Sequence, residues 1–191
     1  MSAKFEIKII SKKCIRIDEI ILTVNKYFDT CKISDSKIMD NWEYLNFTDY
    51  YLRDDFEEVL LGNKIVTVYA NINNRYDAGA QFYMNNDSFY STLWFDTSHF
   101  SYLDTEHVNA ENKVLFDNLT HIISEKNSTY DIIAVAIGIE MFVKENTDLE
   151  TMMRESLNVS RWILFNIDFQ HVNGFLTTID DPQACIFTKI Q

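Results

Sequence analysis

Residues 80–95 read Ala80-Gln81-Phe82-Tyr83-Met84-Asn85-Asn86-Asp87-Ser88-Phe89-Tyr90-Ser91-Thr92-Leu93-Trp94-Phe95. Two β-prone runs flank the polar triplet Asn85-Asn86-Asp87. Asn and Asp tolerate the left-handed backbone that a tight hairpin turn demands, so this stretch predicts a β-hairpin. In its second strand Phe89, Leu93 and Phe95 alternate with Tyr90, Thr92 and Trp94. Large side chains on both faces imply that both are at least partly covered. Trp94, Trp162 and most of the phenylalanines therefore read as core rather than as a cofactor box.

Working outward, residues 64–72 place Val66, Val68, Ala70 and Ile72 on one face of a strand. Residues 4–10 alternate Phe5, Ile7 and Ile9 with Lys4, Glu6 and Lys8, a strand with one buried face. Residues 131–140 are apolar on both faces, as in a central strand. Further strands are expected at 161–168, 172–179 and 184–190, the last two joined by the turn Asp180-Asp181-Pro182.

Helical spacing places Ile17, Ile20, Ile21, Val24 and Phe28 on one stripe of residues 17–28. Helices are also expected from Asp35 to about Asn46 and over 54–61, the latter ending at Gly62. Residues 105–124 carry the stripe Val108, Leu115, Leu119, Ile122 and Ile123 behind an N-cap at Asp104. Thr147-Asp148-Leu149-Glu150 reads as a capping box opening one more helix. Runs of strands rather than strict alternation with helices predict an α+β fold. The expected architecture is a single globular domain over 1–191, a mainly antiparallel or mixed sheet with four to five helices packed on it. Only four glycines and one proline punctuate the 191 residues, which argues against a flexible interdomain joint.

The chain carries a net charge of −12, unevenly spread. Residues 1–37 hold eight Lys/Arg against five Asp/Glu, and residues 38–191 nine against 24. An acidic body is unsuited to neutralising phosphates, so direct nucleic-acid binding is not expected. Cys14, Cys31 and Cys185 are odd in number and widely spaced, which supports neither a disulfide framework nor a zinc site. They read as buried free thiols of a reducing cytosol. No apolar h-region opens the chain and no run approaches the roughly 20 residues of a membrane span, so a cytoplasmic protein is expected. The abundance of Ile, Asn and Lys associates with AT-rich, bacterial genomes.

Signatures of chemistry are sparse. Scattered glycines exclude phosphate-binding loops of recognisable form, and Gly-x-Ser-x-Gly is absent. His107 and Glu111 share a helical face and, with Asp96 or His99, could contact a metal, while Asp96-Thr97-Ser98-His99 could supply a base and an orienting acid. A solvated hydrogen-bonded pair accounts for the first two, and a turn closing the preceding strand accounts for Asp96-Thr97-Ser98-His99. No cofactor or metal is expected.

The densest signal lies at 40–58, where Asp40, Glu43, Asp49, Asp54, Asp55, Glu57 and Glu58 surround the single cation Arg53. Trp42, Tyr44, Phe47, Tyr50, Tyr51 and Phe56 lie among them. Acid steers a cationic partner and aromatic rings anchor it. The expected partner-binding residues are Glu43, Tyr44, Asp49, Tyr50, Tyr51, Asp54, Asp55, Glu57 and Glu58. The reading that follows is a non-enzymatic binding or inhibitor protein. In its most specific form it is a bacterial immunity protein that neutralises a basic toxin, such as a nuclease, by direct contact. The alternatives are a small hydrolase or transferase around Asp96, His99, His107 and Glu111, and a structural subunit dimerising through its aromatic sheet face.

Overall fold

The computed structural model describes residues 3–19, 25, 31–40, 47–49, 55–74, 76–99, 108–110, 112–145, 148–166, 172, 174–181 and 184–189. Among the described residues there are ten strands: β1 (Lys4–Ser11), β2 (Cys31–Met39), β3 (Phe47–Asp49), β4 (Ile65–Ile72), β5 (Tyr76–Asn85), β6 (Ser88–Asp96), β7 (Ile132–Phe142), β8 (Leu157–Phe165), β9 (Phe175–Asp181) and β10 (Ala184–Lys189). They form one sheet in the order β3-β2-β4-β5-β6-β1-β7-β8-β10-β9. Every neighbouring pair is antiparallel. The helices are α1 (Phe56–Leu61), α2 (Lys113–Tyr130) and α3 (Leu149–Glu155), with a 3-10 turn at Thr97–His99. Residues Ile17–Glu19 and Asn25 are also helical. Among the described residues, no helix is long and apolar enough to cross a membrane.

The α+β expectation with four to five packed helices is therefore corrected: a single large antiparallel sheet dominates, and short helices decorate it. Part of the error lies at Asp35–Asn46, whose first residues belong to strand β2. The register between β2 and β4 shifts between Ile33 and Asp35, leaving Ser34 as an extra residue. That bulge puts Ile33, Ser36 and Ile38 on one face, opposite Ala70, Val68 and Val66. A bulge breaks the period of two, so the alternation disappears from the sequence. Asn41–Asn46 lie outside the described residues.

The helix expected at 105–124 begins later. Residues 108 and 109 are not helical, and α2 starts at Lys113. Asn109 and Asn112 stop it: each backbone N–H donates to the other's side-chain oxygen, at 2.8 and 3.0 Å. This reciprocal bonding occupies both N–H groups just ahead of the helix. The expected cap Asp104 is outside the described residues. In α3 the cap is Asp148, whose carboxylate accepts the Thr151 N–H at 3.1 Å, rather than Thr147.

The predicted hairpin is β5–β6. Asn85 pairs with Ser88 across a two-residue turn in which Asn86 and Asp87 both have positive φ, 47° and 56°. Strand β1 lies between β6 and β7 and joins the β2–β6 block to the β7–β10 block. Ile7 sits at that seam, facing Leu93 on one side and Ile137 on the other, 4% exposed.

Apolar packing covers one face of the sheet and part of the other. On the first, Phe5, Ile7, Val68, Phe82, Leu93, Val135 and Ile163 pack with Phe56 and Leu60 of α1 and Phe116 and Ile123 of α2. Phe116 meets Phe5 edge-on at 5.8 Å, and Phe56 meets Phe82 edge-on at 5.2 Å. On the second, Met152 and Met153 of α3 cover Trp162, Leu164 and Phe187. Replacing Ile7 by valine removes one buried methylene and is expected to lower stability by about 1 kcal/mol. Urea denaturation checks this. Loss below about 0.3 kcal/mol would show that the β1 seam tolerates a void.

Candidate functional site

The second face is divided. Over β7, β8 and β10 it is apolar and lies under α3. Over β4, β5, β6 and β1 the register puts Tyr69, Gly79, Trp94 and the row Lys4, Glu6 and Lys8 on this face, with Tyr69 and Lys4 exposed, Trp94, Glu6 and Lys8 half-buried and Gly79 beneath the indole. Polar residues on β1 were legible as the strand's outward face. What the register adds is the aromatic shelf beside them.

Gly79 builds that shelf. It pairs with Trp94 on β6 and Tyr69 on β4. A Cβ added at Gly79 would stand 2.3 Å from Trp94 Cζ2, so the indole lies where a side chain at 79 would be. The ring thus rests against bare backbone. Tyr69, 36% exposed, meets Trp94 edge-on with centroids 6.5 Å apart. The Lys4 ammonium lies 4.5 Å from the indole centroid. A cation–π contact at such an exposed position contributes about 0.5–1 kcal/mol. A cleft of about 400 Å³ opens here, lined by Lys4, Ser34, Tyr69, Asp77, Trp94 and Asp96. Trp94 is half-buried, not the core residue its sequence position implied. Trp162 is fully buried, as expected.

A second polar group lies further along β1. Glu145 accepts hydrogen bonds from the Lys8 ammonium, the Tyr83 hydroxyl and, at 3.3 Å, the Asn85 amide. Lys8 and Glu145 side chains are only 13% and 22% exposed. Tyr83 and Tyr90 stack with centroids 5.1 Å apart, and Lys8 lies 5.4 and 5.5 Å from their rings. Burial raises the Tyr83 pKa, and the Glu145 charge raises it further. The phenol therefore stays a neutral donor to the carboxylate. Between the two groups, Glu6 accepts the Met141 N–H at 2.6 Å. Its pKa is raised by burial and by Glu140, against the opposing bond from Met141. These contacts close among themselves and fix the strip in place.

Of the residues expected to bind a partner, Asp49, Asp55, Glu57 and Glu58 are exposed. Asp49 ends β3, Asp55 precedes α1, and Glu57 and Glu58 occupy its first turn. Glu43, Tyr44, Tyr50, Tyr51 and Asp54 lie outside the described residues. So do His107 and Glu111 of the enzymatic alternative. Asp96 accepts the Ser98 N–H at 2.8 Å and leads into the 3-10 turn that contains His99. Among the described residues, no three or more His, Cys, Asp or Glu gather closely enough to hold a metal ion.

The three cysteines form no disulfide and are partly buried. Burial and the nearby Glu57 charge push the Cys14 thiol up to about 12. Burial also raises Cys31. Neither is poised as a thiolate nucleophile.

Sequence reasoning missed Tyr69 and Trp94. The available signal was Gly79 itself, a glycine inside a strand pattern, which marks a bulge or a close approach. No protein-family model, curated protein or solved structure matches this chain.

Proposed function

We propose that this chain is a binding protein for a basic protein, and most specifically a bacterial immunity protein that neutralises a cognate basic toxin by direct contact. The observation that carries the reading is the exposure of Asp49, Asp55, Glu57 and Glu58 on a chain of net charge −12. Exposed carboxylates raise the encounter rate with a cationic partner and can meet its lysines and arginines in charge-assisted hydrogen bonds. The aromatic shelf on β4–β6 supplies ring surface of the kind that anchors interfaces.

The test is capture of partners from an extract of the source cell, followed by co-expression. The chain is expected to retain a basic protein and to restore growth of cells that express it. Converting Asp49, Asp55, Glu57 and Glu58 to lysine should weaken that complex at least tenfold, mainly by slowing association, and reverse its loss at raised salt. A captured protein whose toxicity is not relieved would refute the immunity reading. Unchanged affinity of the lysine variant would remove these four acids from the interface.

A further inference from the structure

We propose that the Trp94 shelf is the seat for an arginine side chain of the partner, and that Lys4 is an internal stand-in which that arginine displaces. The proposal rests on the reading of a basic protein partner and names the subsite that would receive it.

The indole has two faces. One is committed to the sheet, because Gly79 leaves no Cβ in its way. The Lys4 ammonium lies over the ring 4.5 Å from its centroid. A cation is thus already selected by this ring in the isolated chain. The Lys4 side chain is exposed, so leaving the ring returns its ammonium to water. An arginine is the stronger occupant. Its guanidinium is planar, stacks on an aromatic face and is more weakly hydrated than an ammonium.

Two carboxylates line the same cleft as the ring, one of them, Asp96, also holding the Ser98 N–H. Ala78 pairs with Phe95, so one step along the ladder Asp77 and Asp96 come opposite each other on the shelf face. Both line the cleft with Trp94. Like charges opposed across strands are unfavourable, and a cation between them relieves the repulsion. Lys4 itself pairs with Asp96 in the β1–β6 register. The cleft thus joins a flat ring, two carboxylates and a displaceable cation. A neutral sugar could also stack on an indole, but it would have to exchange for a charge on an acidic surface.

The probes are three acetylated, amidated hexapeptides in which glycine alternates with arginine, lysine or the neutral isostere citrulline. They are titrated into the full chain, with the Trp94 indole signals followed by NMR. The arginine peptide should shift those signals saturably, the lysine peptide should bind at least threefold more weakly, and citrulline should leave them unmoved. Lys4→Ala should tighten the arginine peptide about threefold or more. Asp77→Asn with Asp96→Asn should weaken it at least fivefold, and Trp94→Ala, titrated by calorimetry because the indole signals are gone, should abolish it. Lys4 and Asp77 are exposed, and asparagine at 96 keeps an oxygen for the Ser98 N–H, so the result does not hang on the folding of the tryptophan variant. The shelf is refuted if Lys4→Ala binds no tighter, if citrulline matches arginine, or if a neutral hexasaccharide binds Trp94 more tightly than the arginine peptide. Arginine-peptide binding with no growth-restoring basic partner would support the shelf and refute the immunity reading. Full partner affinity in the Trp94→Ala variant, with no arginine-peptide response, would do the reverse.

Discussion

Replacing Asp117 by leucine is expected to lower the unfolding free energy by about 3 kcal/mol, whereas replacing Arg161 by methionine should change it by less than about 1 kcal/mol. The two residues form one ion pair, but they are not equivalent. Arg161 projects from β8 towards α2 and its side chain is 6% exposed, while that of Asp117 is 44% exposed. Arg161 Nη1 donates to Asp117 Oδ1 at 2.8 Å and to Thr120 Oγ1 at 3.3 Å. The guanidinium carbon lies 5.5 Å from the Phe116 ring centroid. Arg161 Nε is buried with no hydrogen-bond partner. Removing Asp117 leaves a permanent charge under α2, which cannot be discharged because arginine does not deprotonate in proteins. Removing Arg161 instead frees Asp117 to turn to water, and methionine refills the space with adaptable apolar volume. Urea denaturation at neutral pH separates the two outcomes, and equal losses would show that the charge is not desolvated.

The same pair gives the acid limb of stability a definite sign. Burial opposes ionisation of Asp117, but hydrogen bonds from Lys113 and Arg161 outweigh it and hold the carboxyl below its usual value of 3.8. A depressed folded pKa contributes stability at pH above the unfolded value. That contribution disappears as pH falls through the folded one. The wild-type chain should therefore lose stability below about pH 4 more steeply than the Asp117→Leu variant.

How far the sequence could be read depended on whether each signal was local. The β5–β6 hairpin was legible because Asn86 and Asp87 carry their own reason for a positive φ. β7 was legible from its apolar run, since a strand with neighbours on both sides and covered faces needs no alternation. Strand β2 was not, because one extra residue at Ser34 disguised its period. The seat of β1 between β6 and β7 was not legible at all. Its alternation names a buried face but not a partner strand, and pairing across more than 120 residues leaves no local trace. The site divides in the same way. Exposed acid at Glu57 and Glu58 follows from composition and a helical first turn. The Trp94 shelf needed the register that sets Gly79 beside it.

That register makes Gly79 the second sensitive position. Gly79→Val is expected to destabilise the chain by about 3 kcal/mol, at the upper end of ordinary overpacking. Intrinsic preference predicts the opposite sign, since valine favours a strand over glycine by up to about 1 kcal/mol. Contacts decide against it. The new Cβ would lie 2.3 and 2.5 Å from Trp94 Cζ2 and Cε2, and 2.6 Å from the Val68 carbonyl oxygen. The indole can swing away at the loss of its support, but the carbonyl belongs to the β4–β5 ladder and moves only with it. Trp94→Ala should therefore recover part of the penalty and leave the carbonyl's share. In a double-mutant cycle the pair should be less destabilising than the sum of the single changes by about 1 kcal/mol or more, beyond the 0.3–0.5 kcal/mol scatter of independent sites. Additive effects would mean that the tryptophan does not rest on Gly79, and the flat ring on which arginine recognition depends would go with it.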